Sequence, residues 1–411
     1  MTVDDSPLAN PRRRNRPRVR HAAGFWIIAV TFLLVMAYST VPTPLYPLYQ
    51  QRDGFPSFTI TVIFAAYAIG VMISLYLFGH VSDWVGRRRV LLVAVLLSAL
   101  SALMFVFWSD VPGLVAARLV NGASIGILTA TATAHLSELR SVARPSESSN
   151  VAASVSGAAN LGGLALGPLI GGLFAEFLPD PLMLPHVVFL LLLLIAAIVL
   201  QVVPETVDIP ADPPRWRPQR MSLPPHSRRR FVIAAFGAFS GFAVFGLFTS
   251  LAPTFLVTTF QQGDHLLAGA TTFSVFAAAA FGQIVLARVS LRVQLTVAVA
   301  GCAVGLVGVA LGALVPTLAV FLAGGVVAGF GVGLLFKGAI GTAVAVADPA
   351  HKGESLALIF FIAYAGLALP VLAIGAVLLI EPPTPVLLSF VALVLAATVT
   401  AGVLMRRAPA R

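Results

Sequence analysis

The chain has 411 residues, 58% of them apolar and only 10% charged, with a mean hydropathy of +0.96 and a formal net charge of +10. A soluble protein of this length carries roughly 25% charged residues, so the composition excludes an ordinary soluble domain. The single cysteine, Cys302, excludes an internal disulfide and argues against thiol redox or zinc chemistry.

The apolar residues are gathered into runs of about 20, each long enough to cross a hydrocarbon core of ~30 Å as a helix. A basic arm, residues 1–23, holds Arg12, Arg13, Arg14, Arg16, Arg18 and Arg20 and leads into a first run at 24–44. Arm and run together look like a signal peptide. However, Gly24 to Pro44 is too long for the apolar part of one and more runs follow, so a spanning segment is expected. The "RRR" at 12–14 lacks the rest of a twin-arginine signal. Runs at 58–80, 90–109, 113–137, 150–177 and 185–203 complete a first set of six, residues 24–203. Residues 204–230, rich in proline and arginine with few apolar residues to bury, read as a linker. A second set, 231–405, has runs at 231–256, 266–287, 293–314, 317–346, 355–380 and 385–405, before a short tail at 406–411. The predicted fold is an all-α integral membrane protein of twelve transmembrane helices in two pseudo-symmetric six-helix bundles.

Charge sets the expected orientation. With the N-terminus inside, only Arg52, Arg118 and Lys337 of the 26 lysines and arginines leave the inner side. Arg52 falls in an outer loop and the other two within helices. Such a bias predicts a multi-pass protein of the cell inner (cytoplasmic) membrane with both termini cytoplasmic, and it explains the net charge without nucleic acid. Repetition adds to the two-bundle picture. "RLVNGASIGILTATATA" at 118–134 matches "GVVAGFGVGLLFKGAIG" at 325–341, with Gly122 on Gly329 and Gly126 on Gly333. Glycines four apart share a helix face and allow close helix packing.

The loop between the second and third runs, "GHVSDWVGRRR" at 79–89, is a charged island. Asp83 beside consecutive guanidiniums has the chemistry of a latch made of charge-assisted hydrogen bonds to a neighbouring helix end. Arginines that merely anchor topology are the plainer alternative. Here the chain resembles the major facilitator superfamily over nearly its whole length. That family's loop reads roughly G-x-x-x-D-R-x-G-R-[RK], carried by Gly79, Asp83, Gly86, Arg87 and Arg88, with Trp84 where an arginine usually follows the acid. The corresponding stretch of the second half, "GQIVLARVSLR" at 282–292, keeps Gly282 and two arginines without the acid. Arg118 and Gly122 are similar to the family's fourth-helix motif R-x-x-x-G. "GLALGPLIGG" at 163–172 resembles the fifth-helix motif of its antiporters through Gly163, Gly167, Pro168, Gly171 and Gly172. The resemblance implies a gate latch in the loop, a bent fifth helix, and export rather than uptake. Ordinary tight packing is the other account of those glycines.

A charge inside a membrane helix is costly and normally faces a partner or a wet cavity. Arg118 and Lys337 are therefore candidate cavity residues, with snorkelling to an interface as the alternative for each. Tyr38, Thr40, Thr43, Tyr46, Asn121 and Ser124 supply candidate polar contacts. Phe236, Phe239, Phe242, Phe245 and Phe248, spaced by three, drift around their helix and are expected to form only part of an aromatic wall. No carboxylate lies deep in a run. His135, near the inner end of the fourth, is the only histidine expected to be buried with a titration range suited to proton handling. The expected protein is not an enzyme: its seven histidines are scattered, metal-ligand spacings and a P-loop are missing, and no cofactor or metal is implied. The resemblance implies a monomeric secondary active transporter in the lipid bilayer, with a small-molecule substrate and protons as partners. It points to proton-coupled efflux of drug-like or amphipathic compounds by alternating access, with uptake of a small organic anion as the alternative.

Overall fold

The computed structural model describes residues 19–147, 150–207, 209, 212, 215–218, 228–346 and 352–407. Most of the basic arm, much of the linker and the last residues of the tail lie outside that set. Among the described residues twelve apolar helices run in chain order: α1 His21–Thr40, α2 Ser57–Phe78, α3 Arg87–Phe107, α4 Val111–Ala143, α5 Asn150–Phe177 and α6 Leu184–Leu200, then α7 Arg228–Gly246, α8 His265–Val285, α9 Leu291–Leu314, α10 Leu318–Val346, α11 Lys352–Val377 and α12 Pro383–Arg407. Helices are the natural solution for such runs, because hydrocarbon offers no partner to a backbone N–H or C=O and the helix pairs both within the segment. Eleven are long and apolar enough to cross a membrane. The twelfth, α6, has 17 residues, a rise of about 26 Å. Asp110 and Asp264 cap α4 and α8 by accepting from Gly113 N at 2.9 Å and Leu267 N at 2.8 Å.

Two helices are interrupted for visible reasons. α1 stops before Pro42, passes through a 3-10 turn at Thr43–Leu45, and continues as a short helix, Tyr46–Asp53. Pro42 cannot donate the next helical hydrogen bond. α7 runs into a π turn at Leu247–Leu251 followed by Ala252–Thr258, with Pro253 just inside the second piece. The hydroxyl of Thr272 on α8 donates to Phe248 O at 2.8 Å, so this irregular backbone is tied to its neighbour.

Glycines decide which helices meet. A Cβ at Gly122 would lie 2.0 Å from Tyr67 O, and Gly126 likewise abuts Val71 O, so α4 packs backbone to backbone on α2. Gly329 and Gly333 make the same approach to Val275 O and Ala279 O on α8. α2 and α8 are corresponding helices of the two halves, so the repeated spacing builds the same contact twice. On α5, Gly163, Gly167 and Gly171 abut α1 around Leu33, Ala37 and Val41, while Gly172 abuts His265 and Leu266 of α8. Because α5 is small on both sides, it serves as a hub between the halves. The N–H of His265 also donates to Glu176 Oε2 at 3.1 Å.

Candidate transport site

Arg118 lies two turns into α4 and is buried, 1% exposed. Its Nη1 donates to Ser39 O at 2.6 Å, and its guanidinium carbon sits 4.3 Å from the centre of the Tyr67 ring. The side chain therefore points into the bundle, not out to an interface. Ser39 is in the last turn of α1, where carbonyls have no helical partner and the helix dipole is negative. Lys337 of α10 is held in the same way: its Nζ donates to Gln283 O, in the last turn of α8, at 2.8 Å. Among the described residues neither cation forms an ion pair. A helix C-terminus supplies about half a negative charge, so each cation is only partly compensated. Arg118 Nε, Asn121 Nδ2 and the Tyr46 hydroxyl are buried with no protein hydrogen-bond partner. A buried orphan donor is unusual enough to mark a place for a polar ligand group.

Aromatic rings lead from Arg118 into the second half. Tyr67 lies 6.1 Å from Tyr364 on α11, Tyr364 lies 5.5 Å from Phe242 on α7, and Phe242 lies 4.7 Å from Phe336, the residue before Lys337. Phe245 stacks on Phe276 at 4.4 Å, and Phe248 packs on Phe321 at 5.8 Å. Of the five phenylalanines of α7 and the π turn that follows it, Phe242, Phe245 and Phe248 are buried in this belt, whereas Phe236 is exposed. The partial wall expected from their drifting spacing has this form.

A histidine not anticipated as buried lies beside this site. His186 of α6 is fully buried and stacks on Phe105 at 4.4 Å. Tyr49 donates its single hydroxyl proton to Leu182 O at 3.2 Å, so toward His186 Nε2, also 3.2 Å away, it accepts. The Nε2 nitrogen then carries the hydrogen, and Nδ1 accepts from the Tyr38 hydroxyl at 3.2 Å. His186 overturns the expectation that His135 is the only buried histidine, and it engages the Tyr38 hydroxyl. His135 is buried as well; its Nε2 bonds Pro204 O at 3.1 Å, while Nδ1 has no partner.

The charged island closes one end of the first half, on the arginine-rich side. Asp83 accepts from Arg87 Nη1 at 2.5 Å, four residues on, yet its side chain is 62% exposed. The link between helices is made by Arg87 to Glu138 of α4 at 3.0 Å, with Thr206 donating to the same carboxylate at 2.5 Å. Glu205 caps α3, accepting from Arg87 N at 2.9 Å and Arg88 N at 3.2 Å. Arg88 reaches the carbonyls of Gln201 and Val203. Gly86 sits at φ +106, and a Cβ there would meet the Glu205 carboxylate at 2.6 Å, so only glycine suits the position. Gly79 ends α2 in ordinary right-handed backbone. Glu205 carries no signal in sequence beyond following a run, and its role depends on the fold of a chain segment over a hundred residues from Arg87.

Among the described residues no group of histidines, cysteines or carboxylates is placed to hold a metal. Comparison with known proteins agrees with the helical architecture. Puromycin resistance protein pur8 of Streptomyces alboniger is 32% identical over 162 residues, 39% of this chain and 32% of that protein. The arabinose-proton symporter of Bacillus subtilis is 33% identical over 91 residues, 22% of this chain and 19% of that one. The chain thus spans a third or less of the length of these two relatives. Among solved structures, the human organic anion transporter MFSD10 superposes with a TM-score of 0.68 at 18% identity, over 93% of this chain and all of that one. A D-xylose-proton symporter superposes with a TM-score of 0.72 at 16% identity, over 94% and 97%. At such identities the likeness is one of fold. The family match is broader: residues 27–371 fit the Major Facilitator Superfamily, and with twelve helices in two corresponding halves this chain belongs to that family of membrane transporters, not to the enzymes.

Proposed function

We propose that this transporter exports small amphipathic compounds that join an aromatic or apolar body to an anionic or electron-rich group, driven by an inward proton gradient. The observation that carries the reading is the aromatic belt joining the neighbourhoods of Arg118 and Lys337, two cations that form no ion pair among the described residues. A cation in a low-dielectric site attracts negative charge far more strongly than in water, and the rings accept a planar or apolar body. Export is supported by the glycine-proline stretch Gly163, Gly167, Pro168, Gly171 and Gly172 and by the partial likeness to a puromycin resistance protein. The Asp83, Arg87 and Arg88 loop serves as a latch on the cytoplasmic side, where both termini lie. The proton is taken at Nδ1 of His135, the nitrogen without a partner. The chain acts as a monomer. Uptake of an organic anion is the second reading, since the two cations alone set no direction.

The test uses inverted vesicles with an imposed inside-acid gradient. Anionic and cationic dye substrates should separate, the anionic one accumulating and being released when the gradient is dissipated. Lys337→Ala and Arg118→Ala should each lower anionic transport at least about tenfold, a loss of ~1.4 kcal/mol. His135→Gln should abolish dependence on the gradient while sparing substrate exchange. Accumulation that ignores the gradient, or equal losses for both dyes, would refute the proposal.

A further inference from the structure

At the arginine-rich ends of the second half, the last turn of α12 stands between two grooves. One, of about 500 Å³, is lined by Arg228, Arg229, Val232, Ile233 and Leu404, between α7 and α12. The other, of about 470 Å³, is lined by Arg292, Val293, Thr296, Arg406 and Arg407, between α9 and α12. Five guanidiniums are thus gathered on three helix ends. Among the described residues none of the five forms an ion pair, and Arg406 reaches only the Thr296 hydroxyl, at 3.3 Å.

The first half treats its inner arginines differently. Arg87 binds Asp83 and Glu138, Arg140 binds Glu147 at 2.5 Å, and Arg88 reaches backbone carbonyls. A topology signal alone would account for arginines at both sets of helix ends. It does not account for Arg87 and Arg140 being paired with the protein's own acids while, among the described residues, the five of the second half converge on open grooves without an ion pair. Like charges held together in this way favour binding an anion.

The surroundings say which anion. Val232, Val293 and Leu404 line the same grooves and are exposed, Val232 by 57%. Val232 lies one turn deeper in α7 than Arg228, and Leu404 lies just inside Arg406 on α12. The first groove is therefore charged at headgroup depth and apolar on its membrane side, and the second sets the exposed Val293 beside its guanidiniums, next to Leu404 on the shared α12. A free phosphate would use only the first property. A glycerophospholipid uses both, since its phosphate meets the guanidiniums and its acyl chains cover the exposed aliphatic side chains.

We propose that the grooves flanking the end of α12 bind the headgroups of anionic glycerophospholipids from the leaflet on the arginine-rich side, with Arg292, Arg406 and Arg407 forming the principal site. The full chain, purified in mild detergent, would be examined by native mass spectrometry with phosphatidylglycerol and phosphatidylcholine supplied in equal amounts. Wild-type protein should retain phosphatidylglycerol at least about fivefold over phosphatidylcholine, the preference a single basic side chain gives near an anionic surface. The triple variant R292Q/R406Q/R407Q should lose that preference, retaining the two lipids about equally, while R20Q/R215Q/R217Q, with the same change in net charge, should keep it. Phosphatidylglycerol should also raise the melting temperature, and inorganic phosphate at the same concentration should not. Equal retention of the two lipids by wild-type protein would overturn the proposal, and that measurement needs no variant. So would equal losses in both triple variants, or phosphate matching the lipid.

Discussion

Arg118 and Lys337 solve one problem in the same manner. A charge in a hydrocarbon setting needs a partner, and each finds it at the C-terminal turn of a helix in its own half, α1 for Arg118 and α8 for Lys337. Both cations were legible in sequence because charge is so rare inside the runs, but their partners were not, since a backbone carbonyl has no letter. His186 was illegible for a related reason: Tyr38 and Tyr49, which define its tautomer, lie 148 and 137 residues away. The charged island shows how burial ranks residues that look equivalent in sequence. Asp83 is the acid of the motif, yet its exposed i,i+4 pair should contribute about 0.5 kcal/mol or less. Glu138 holds Arg87 and Thr206 together in partly buried surroundings, where hydrogen bonds to a charged group are each worth roughly 1.5–3 kcal/mol. Glu138→Gln should therefore lower the melting temperature in detergent, and Asp83→Asn should leave it nearly unchanged while slowing transport. A larger thermal loss for Asp83→Asn would mean that the latch is built around the wrong acid.

Helices were the most legible elements, because a run of about 20 apolar residues has few other uses. Their interruptions were less so. The polar continuation of α1 at Tyr46–Asp53 falls below any hydropathy signal, and the π turn at Leu247–Leu251 depends on how α7 meets Thr272. Glycine spacing announced that helices approach closely without saying which ones. Only the fold shows that Gly163, Gly167 and Gly171 of α5 meet α1 while Gly172 meets α8. This gives a paired test on one helix. A Cβ at Gly167 would lie 2.1 Å from Ala37 O, a backbone atom that moves only if α1 moves, whereas Gly162 has nothing within 4 Å. Gly167→Ala should destabilise by about 1–3 kcal/mol through overpacking. Gly162→Ala should be neutral or stabilising by up to about 1 kcal/mol, because alanine is the better helix former. Thermal unfolding of the two purified variants measures both effects, and equal behaviour would show that α5 is not seated on α1 as described.

Between the halves, the close backbone contacts gather on the arginine-poor side. There Gly172 and Gly269 bring α5 against α8, and a Cβ at Gly375 of α11 would lie 3.0 Å from the Cβ of Thr61 on α2. Toward the arginine-rich side the approach is looser: a Cβ at Gly157 on α5 would meet only the Gln283 side chain of α8, at 3.8 Å. Such a molecule is shut on one side of its central site. A transporter that works by rocking its halves must break these contacts once per cycle. Thr61 and Gly375 make that requirement testable, because their separation of 3.0 Å falls about 0.8 Å short of the usual Cβ–Cβ spacing of a disulfide, ~3.8 Å, and an outward shift of either helix end by that amount closes the difference. The native thiol, Cys302, is fully buried and will not compete. In the double variant Thr61→Cys and Gly375→Cys, mild oxidation should form the bond, arrest transport in proteoliposomes and leave the melting temperature unchanged or higher. Reduction should restore the rate, and either single cysteine should be insensitive to oxidant. If the cross-linked protein carries substrate at the wild-type rate, the α2–α11 contact does not open during transport, and the moving gate lies elsewhere between the halves.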